Sequence, residues 1–131
     1  MKQIEVAAAI VMDKGAILCV QRGKNKLSYI SEKFEFPGGK IEKGETLIET
    51  VVRELKEELM LEVLPKEKLI TVKHQYPDFH LTMHAFLCTC STRDLKLTEH
   101  IDHRWLSPSE LPPLDWAAAD IPIVEQILKM S

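Results

Sequence analysis

Between Gly38 and Leu61 the chain reads GGKIEKGETLIETVVRELKEELML. Leu47, Val51, Leu55 and Leu59 recur every four positions, the spacing of one face of an α-helix. The same stretch holds Glu42, Glu45, Glu49, Glu54, Glu57 and Glu58. Glu54, Glu57 and Glu58 stand at i, i+3 and i+4, so they leave that helix on one side as near neighbours. Like charges placed this way repel by roughly 0.2–0.5 kcal/mol per pair. A solvated acidic face tolerates that repulsion and is the plain alternative. Three features point elsewhere. The acidic strip borders the apolar stripe, which predicts that it lies near a sheet. The helix is expected to start directly after a Gly38-Gly39 turn, where backbone can approach a ligand closely. A hard divalent cation also converts carboxylate repulsion into coordination.

The rest of the chain supplies a single globular frame, residues 1–131. Its 45% hydrophobic and 28% charged content is ordinary for a folded domain. A net charge of −3 supplies no basic field for polymeric nucleic acid or an anionic membrane. No apolar run is long enough to span a bilayer. The apolar N-terminus lacks a small-residue cleavage site and reads as a first strand. Cys19, Cys88 and Cys90 show no metal-type spacing, and free thiols in a reducing cytoplasm are expected.

IEVAAAIVM and AILCVQR read as a hairpin across the turn signal DKG. GKNKLSYISEK reads as a polar loop, and FEF as a short strand ended by PGG. KLITVKHQYP and HLTMHAFLCTCS alternate as two strands joined at PDF, and IDHRWL is a further short strand. SPSEL opens a short helical turn. AADIPIVEQILKM reads as a C-terminal helix, with Asp120 as N-cap and Pro122 in the first turn. Hairpin-like strands mixed with two helices predict an α/β (α+β) fold, a mixed β-sheet sandwiched between helices.

Gly39, Glu45, the run Arg53-Glu54-Leu55-Lys56-Glu57-Glu58 and the closing Leu61 resemble the Nudix box, here residues 39–61. FEFPGGKIE, YPDFHLTMHAFL, RWLSPSEL and DIPIVEQIL extend the resemblance over nearly the whole chain. They are similar to MutT-like nucleoside triphosphate pyrophosphohydrolases, and most of all to the CTP pyrophosphohydrolase branch. One position departs: Met60 stands where the box has glycine. That glycine caps the helix in a left-handed conformation, and methionine held there costs roughly 1 kcal/mol.

The resemblance implies a Nudix fold, a nucleoside triphosphate substrate, and Mg²⁺ with Mn²⁺ as substitute. It implies a cytoplasmic monomer or homodimer with neither nucleic-acid polymer nor membrane as partner. An acidic site binds polyphosphate only through metal ions, which polarise phosphoryl oxygens and activate water. By resemblance Glu54, Glu57 and Glu58 are metal ligands, helped by the Gly38 carbonyl. Glu99 is a further ligand or the general base, and Glu54 is the rival base. Arg53 and Glu45 orient the ligands; their plain alternative is a surface ion pair. Arg22, Phe36, Gly39, Lys40, Asp78 and Asp120 make up the expected substrate-binding set. Arg22 is a phosphate donor or a strand-end surface arginine. Phe36 stacks on a base or fills the core.

Asp120 reads the base or merely caps a helix. A carboxylate accepts from the cytosine N4 amine and equally from an oxidised guanine. The implied substrate is (d)CTP-like or a modified pyrimidine nucleotide, cut to monophosphate and pyrophosphate. The alternatives are an 8-oxo-dGTP diphosphatase in nucleotide-pool sanitation, linked to DNA repair, a dinucleoside polyphosphate or nucleotide-sugar hydrolase, and a silent nucleotide sensor. The intact box acids favour an enzyme over a sensor. His74, His80, His84, His100 and His103 lack the cysteines of a zinc set. No Gly-x-Ser-x-Gly elbow is present for a covalent nucleophile.

Overall fold

The computed structural model describes all residues from Met1 to Ser131. Two long strands form its spine. β1 (Lys2–Asp13) runs parallel to β6 (Phe79–Cys90), in register from Lys2 opposite Phe79 to Val11 opposite Cys88. β2 (Ala16–Gln21) returns against the end of β1 through a tight turn, where Lys14 (φ 50°) and Gly15 (φ 81°) take the left-handed conformations that such hairpins require. β3 (Phe34–Glu35), β5 (Val63–Gln75) and β7 (Asp102–Leu106) complete the sheet in the order β3-β2-β1-β6-β5, with β7 beside β2. β5 starts five residues before the KLITVKHQYP segment, because bulges between Pro65, Lys68 and Ile70 break its alternation.

Strand alternation divides the core in two. Ala7, Ala9 and Val11 of β1 face α1 (Leu47–Leu59), and pack with Val51, Leu55 and Leu59. Ala8 and Ile10 face the other way, toward Ile123, Val124 and Ile127 of α2 (Ile121–Met130). One helix therefore covers each face of a mixed sheet, as the mixed pattern predicts.

The double glycine is not a turn. Gly38–Lys40 is a strand, β4, antiparallel to β1 with Gly38 opposite Ala8 and Gly39 opposite Ala7. A side-chain carbon at Gly38 would collide with the Ala7 carbonyl and the Ala8 backbone, so close strand contact explains the glycine. Nor does α1 follow it directly. A loop over 41–46 intervenes, and Thr46 starts the helix. Its hydroxyl accepts from the Glu49 N–H at 3.1 Å, and the Glu49 carboxylate accepts from the Thr46 N–H at 2.8 Å.

α2 also departs from expectation. Asp120 makes no side-chain cap bond and sits at the end of a single 3₁₀ turn over Ala118–Asp120. Its Oδ1 instead accepts from the Phe36 backbone N–H at 3.0 Å. Pro122 does occupy the first turn.

Met60 ends α1 in the left-handed region (φ 52°, ψ 34°), and its N–H donates to the Lys56 carbonyl at 3.0 Å. Its side chain is 63% exposed and buries little in return. Met60→Gly is expected to raise the unfolding free energy by about 1 kcal/mol. Chemical denaturation checks this, and a loss of stability would show that the methionine packs usefully.

Candidate active site

The acidic helix face is organised by Arg53. Its guanidinium contacts several of the carboxylates, and its side chain is only 21% exposed. Nε and Nη2 donate to the two Glu45 oxygens at 2.6 and 2.9 Å. Nη1 reaches Glu54 at 2.9 Å and Glu57 at 3.2 Å, and Nη2 donates to the Lys40 carbonyl at 3.0 Å. One cation thus ties the helix to the loop before it and to β4. The Arg53 hydrogen bonds, with that of Thr50, hold the Glu45 carboxyl down at about 2. The network is part-buried, with Arg53 and Glu45 largely enclosed and Glu57 60% exposed.

Glu54 lies directly over β4. A side-chain carbon at Gly39 would strike its carboxylate, so the glycine leaves the space that Glu54 fills. Glu58 is the most enclosed acid of the helix at 7% exposure. Burial first, then the hydrogen bond and charge of Glu54, and the charges of Glu35 and Glu99, push its carboxyl up to about 9. Glu99 comes from the segment between β6 and β7. Thr98 fixes that segment to the end of α1, donating from N at 3.1 Å and from Oγ1 at 2.9 Å to the Glu58 carbonyl. Glu54, Glu57, Glu58 and Glu99 thereby line one open polar cleft with Gly38 and Gly39.

Glu35 and His100 also line this cleft, and sequence reasoning missed both. Glu35 accepts from Arg22 at 3.3 Å through one oxygen and pairs with His100 Nε2 at 3.0 Å through the other. The His100 side chain is 4% exposed, and Nε2 also lies 3.7 Å from Glu58. Alternation held a signal for Glu35: Phe34 and Phe36 enter the core, so the residue between them must face away. Nothing in the pattern around His100 distinguishes it from a loop residue.

A cavity of about 560 Å³ adjoins the cleft. Phe36, Tyr76, Phe79, Leu81 and Met83 form its apolar walls, and Lys40, Asp78 and Asp120 its polar points. Phe36 is 3% exposed and stacks on Trp116 at 4.7 Å, so it is a core ring with one side toward the cavity. Asp120 is buried, and its carboxyl is raised well above the ordinary value, by burial and then by the Glu35 charge. One Asp78 oxygen is occupied by the Tyr29 hydroxyl. Arg22, Glu35, Gly38, Gly39 and Lys40 border cavity and cleft alike.

The donor set suits a hard cation. Its acidic members are all carboxylates, and burial first, then the like charges around it, raise the Glu58 carboxyl above its ordinary value. No three such side chains already close into a cage. Mg²⁺ does not require one, since it takes one or two carboxylates and completes its shell with water and phosphate.

A model of the NUDIX domain matches residues 1–127. A CTP pyrophosphohydrolase of Escherichia coli (strain K12) is 35% identical over 130 residues, covering 99% of this chain and 95% of the relative. An 8-oxo-dGTP diphosphatase of the same organism is 28% identical over 130 residues, covering 99% of this chain and all of the relative. The crystal structure of a MutT protein from Methanosarcina mazei Go1 superposes with a TM-score of 0.88 at 26% identity, over 98% of this chain and 95% of that one. No helix is long and apolar enough to cross a membrane. With the box acids gathered at one cleft and the family model spanning the sheet and both helices, the chain belongs to the Nudix hydrolases, enzymes that cleave phosphoric anhydride bonds of nucleotides.

Proposed function

We propose that this protein hydrolyses a (d)CTP-like or modified pyrimidine nucleoside triphosphate to the monophosphate and pyrophosphate, with Mg²⁺ as cofactor. One observation carries the reading: an apolar cavity and an acidic cleft share a border made of Arg22, Glu35, Gly38, Gly39 and Lys40. A molecule that fills both has a flat, weakly polar head and a polyanionic tail. The similarity to a CTP pyrophosphohydrolase supports cytosine as that head.

Glu57 and Glu58 with the Gly38 carbonyl are the groups that would hold the cation, and Glu54 is aimed beside them by Arg53. Bound there, a divalent ion neutralises phosphate charge and makes its water more acidic. Arg22 and Lys40 stand at the border to donate to phosphate oxygens. Glu99 is the better base. Its carboxylate is in no hydrogen bond or ion pair, whereas Glu54 is already bound to Arg53. A free carboxylate beside the cleft can accept the proton that water loses as it attacks phosphorus.

Asp120 supplies the base contact. Its buried carboxyl lines the cavity, Oδ1 is engaged by the Phe36 N–H, and Oδ2, which makes no other hydrogen bond, is left to accept from the cytosine N4 amine.

The direct test is pyrophosphate release from a panel of canonical, methylated and oxidised nucleotides. Turnover is expected with Mg²⁺ or Mn²⁺, fastest on a cytosine nucleotide, and none in excess chelator. Undiminished turnover in chelator would overturn the metal assignment, and a clear preference for 8-oxo-dGTP would overturn the base. Glu58→Gln is expected to lower kcat by more than the roughly 10–100-fold typical of losing an outer-shell partner. In chelator at pH 8 it should unfold no earlier than the parent, because it removes a carboxylate that burial penalises. Near-normal kcat would show that Glu58 holds no cation.

Asp120→Asn probes the base contact, since Asp120 does not cap α2 and asparagine keeps an oxygen to accept from the Phe36 N–H. It is expected to change relative kcat/KM between cytosine and guanine-type nucleotides by about 1–3 kcal/mol, the scale of one paired base edge. An unchanged ranking would leave Asp120 as a support for the Phe36 backbone only.

A further inference from the structure

The polar segment over residues 24–31 forms one wall of the cavity through Lys26, Leu27 and Ile30. Its own hydrogen bonds are almost all internal: Ile30 and Ser31 N–H to the Leu27 carbonyl, Asn25 N–H to the Ser31 hydroxyl, Leu27 N–H to the Asn25 side chain. Apart from the Lys33 N–H donating to the Ile30 carbonyl at 3.3 Å just beyond the segment, a single hydrogen bond joins these eight residues to the rest of the chain. The Tyr29 hydroxyl donates to Asp78 Oδ2, on the turn between β5 and β6. The Tyr29 ring also stacks on Tyr76 at 5.2 Å with 19° between the planes. Tyr76 is 4% exposed, and its hydroxyl accepts from the Ala119 N–H at 3.0 Å, one residue before Asp120.

From this arrangement we infer that Tyr29 is a positioning residue for nucleotide binding in the proposed reaction, and that Asp78 acts through it and makes no contact of its own with the base. The pair latches the 24–31 wall against Tyr76, which holds the backbone ahead of Asp120. The latch thereby sets the width and the polar edge of the nucleobase cavity. It lies on the cavity and not on the acidic cleft, so its loss acts on nucleotide affinity and leaves the phosphoryl chemistry in place. This rests on the reading of the cavity as a nucleobase site.

Two substitutions isolate the latch. Tyr29→Phe removes the hydroxyl and keeps the ring stack, and Asp78→Ala removes the acceptor. Each is expected to raise KM for the parent's best nucleotide three- to ten-fold with kcat within two-fold, and the double variant should be no worse than either single one. In the absence of nucleotide, trypsin should cut after Lys24 and Lys26 several-fold faster in all three variants than in the parent. Multiplicative KM effects, an unchanged KM, or unchanged cleavage at both lysines would each overturn the latch. If the parent turns over no nucleotide, the proposed function falls, while the cleavage rates still decide whether Tyr29 and Asp78 hold this wall.

Discussion

The carboxylates of α1 repel one another, and the local structure is arranged around that repulsion. Arg53 offsets part of it with bonds to Glu45, Glu54 and Glu57. Glu58 lies beyond its reach. That carboxyl is buried, and burial with the charges of Glu54, Glu35 and Glu99 pushes it well above the ordinary carboxylate range. A fold built only for stability would place an apolar residue there. Retaining a buried acid among other carboxylates, with only His100 3.7 Å away, fits the cation site proposed above.

The strands explain why cleft and cavity meet. β4 packs so closely on β1 that only glycine fits at Gly38, and Gly39 leaves room for the Glu54 carboxylate. The same three-residue strand borders the apolar cavity on its other side. Glu35 repeats the theme from β3, binding Arg22 at the border and His100 beside Glu58. The nucleotide proposed above would, lying across this border, have its base among apolar walls and its phosphates among acids and basic side chains.

Much of this was legible in the sequence. Period-two and period-four patterns located the hairpin, α1 and α2, and the spacing of Glu54, Glu57 and Glu58 placed them on one helix side. Other features depend on contacts between distant segments, which local pattern does not carry. The double glycine reads as a turn, but its partner is Ala7-Ala8, about thirty residues away, and pairing makes it a strand. Asp120 reads as an N-cap, but a longer-range acceptor role for the Phe36 N–H prevails. Asp78 joins the expected substrate set, yet its first partner is Tyr29. His100 gains meaning only when Thr98 docks its loop on the end of α1.

The central claim is that the acidic cleft is a cation site whose protein groups are destabilising without the ion. Thermal or denaturant unfolding between pH 5 and pH 9, with and without Mg²⁺, tests it most directly. In the unfolded chain Glu58 titrates at the ordinary 4.5, and in the folded protein near 9. Between these values the folded state holds the proton that the unfolded state has released, so stability in chelator should fall as pH rises across that window. Asp120, also raised, has the same sign. Mg²⁺ needs the ionised carboxylate, so it should restore stability, and restore more at pH 9 than at pH 6. Stability that is flat or rising with pH in chelator, together with no gain from Mg²⁺ at any pH, would contradict the account.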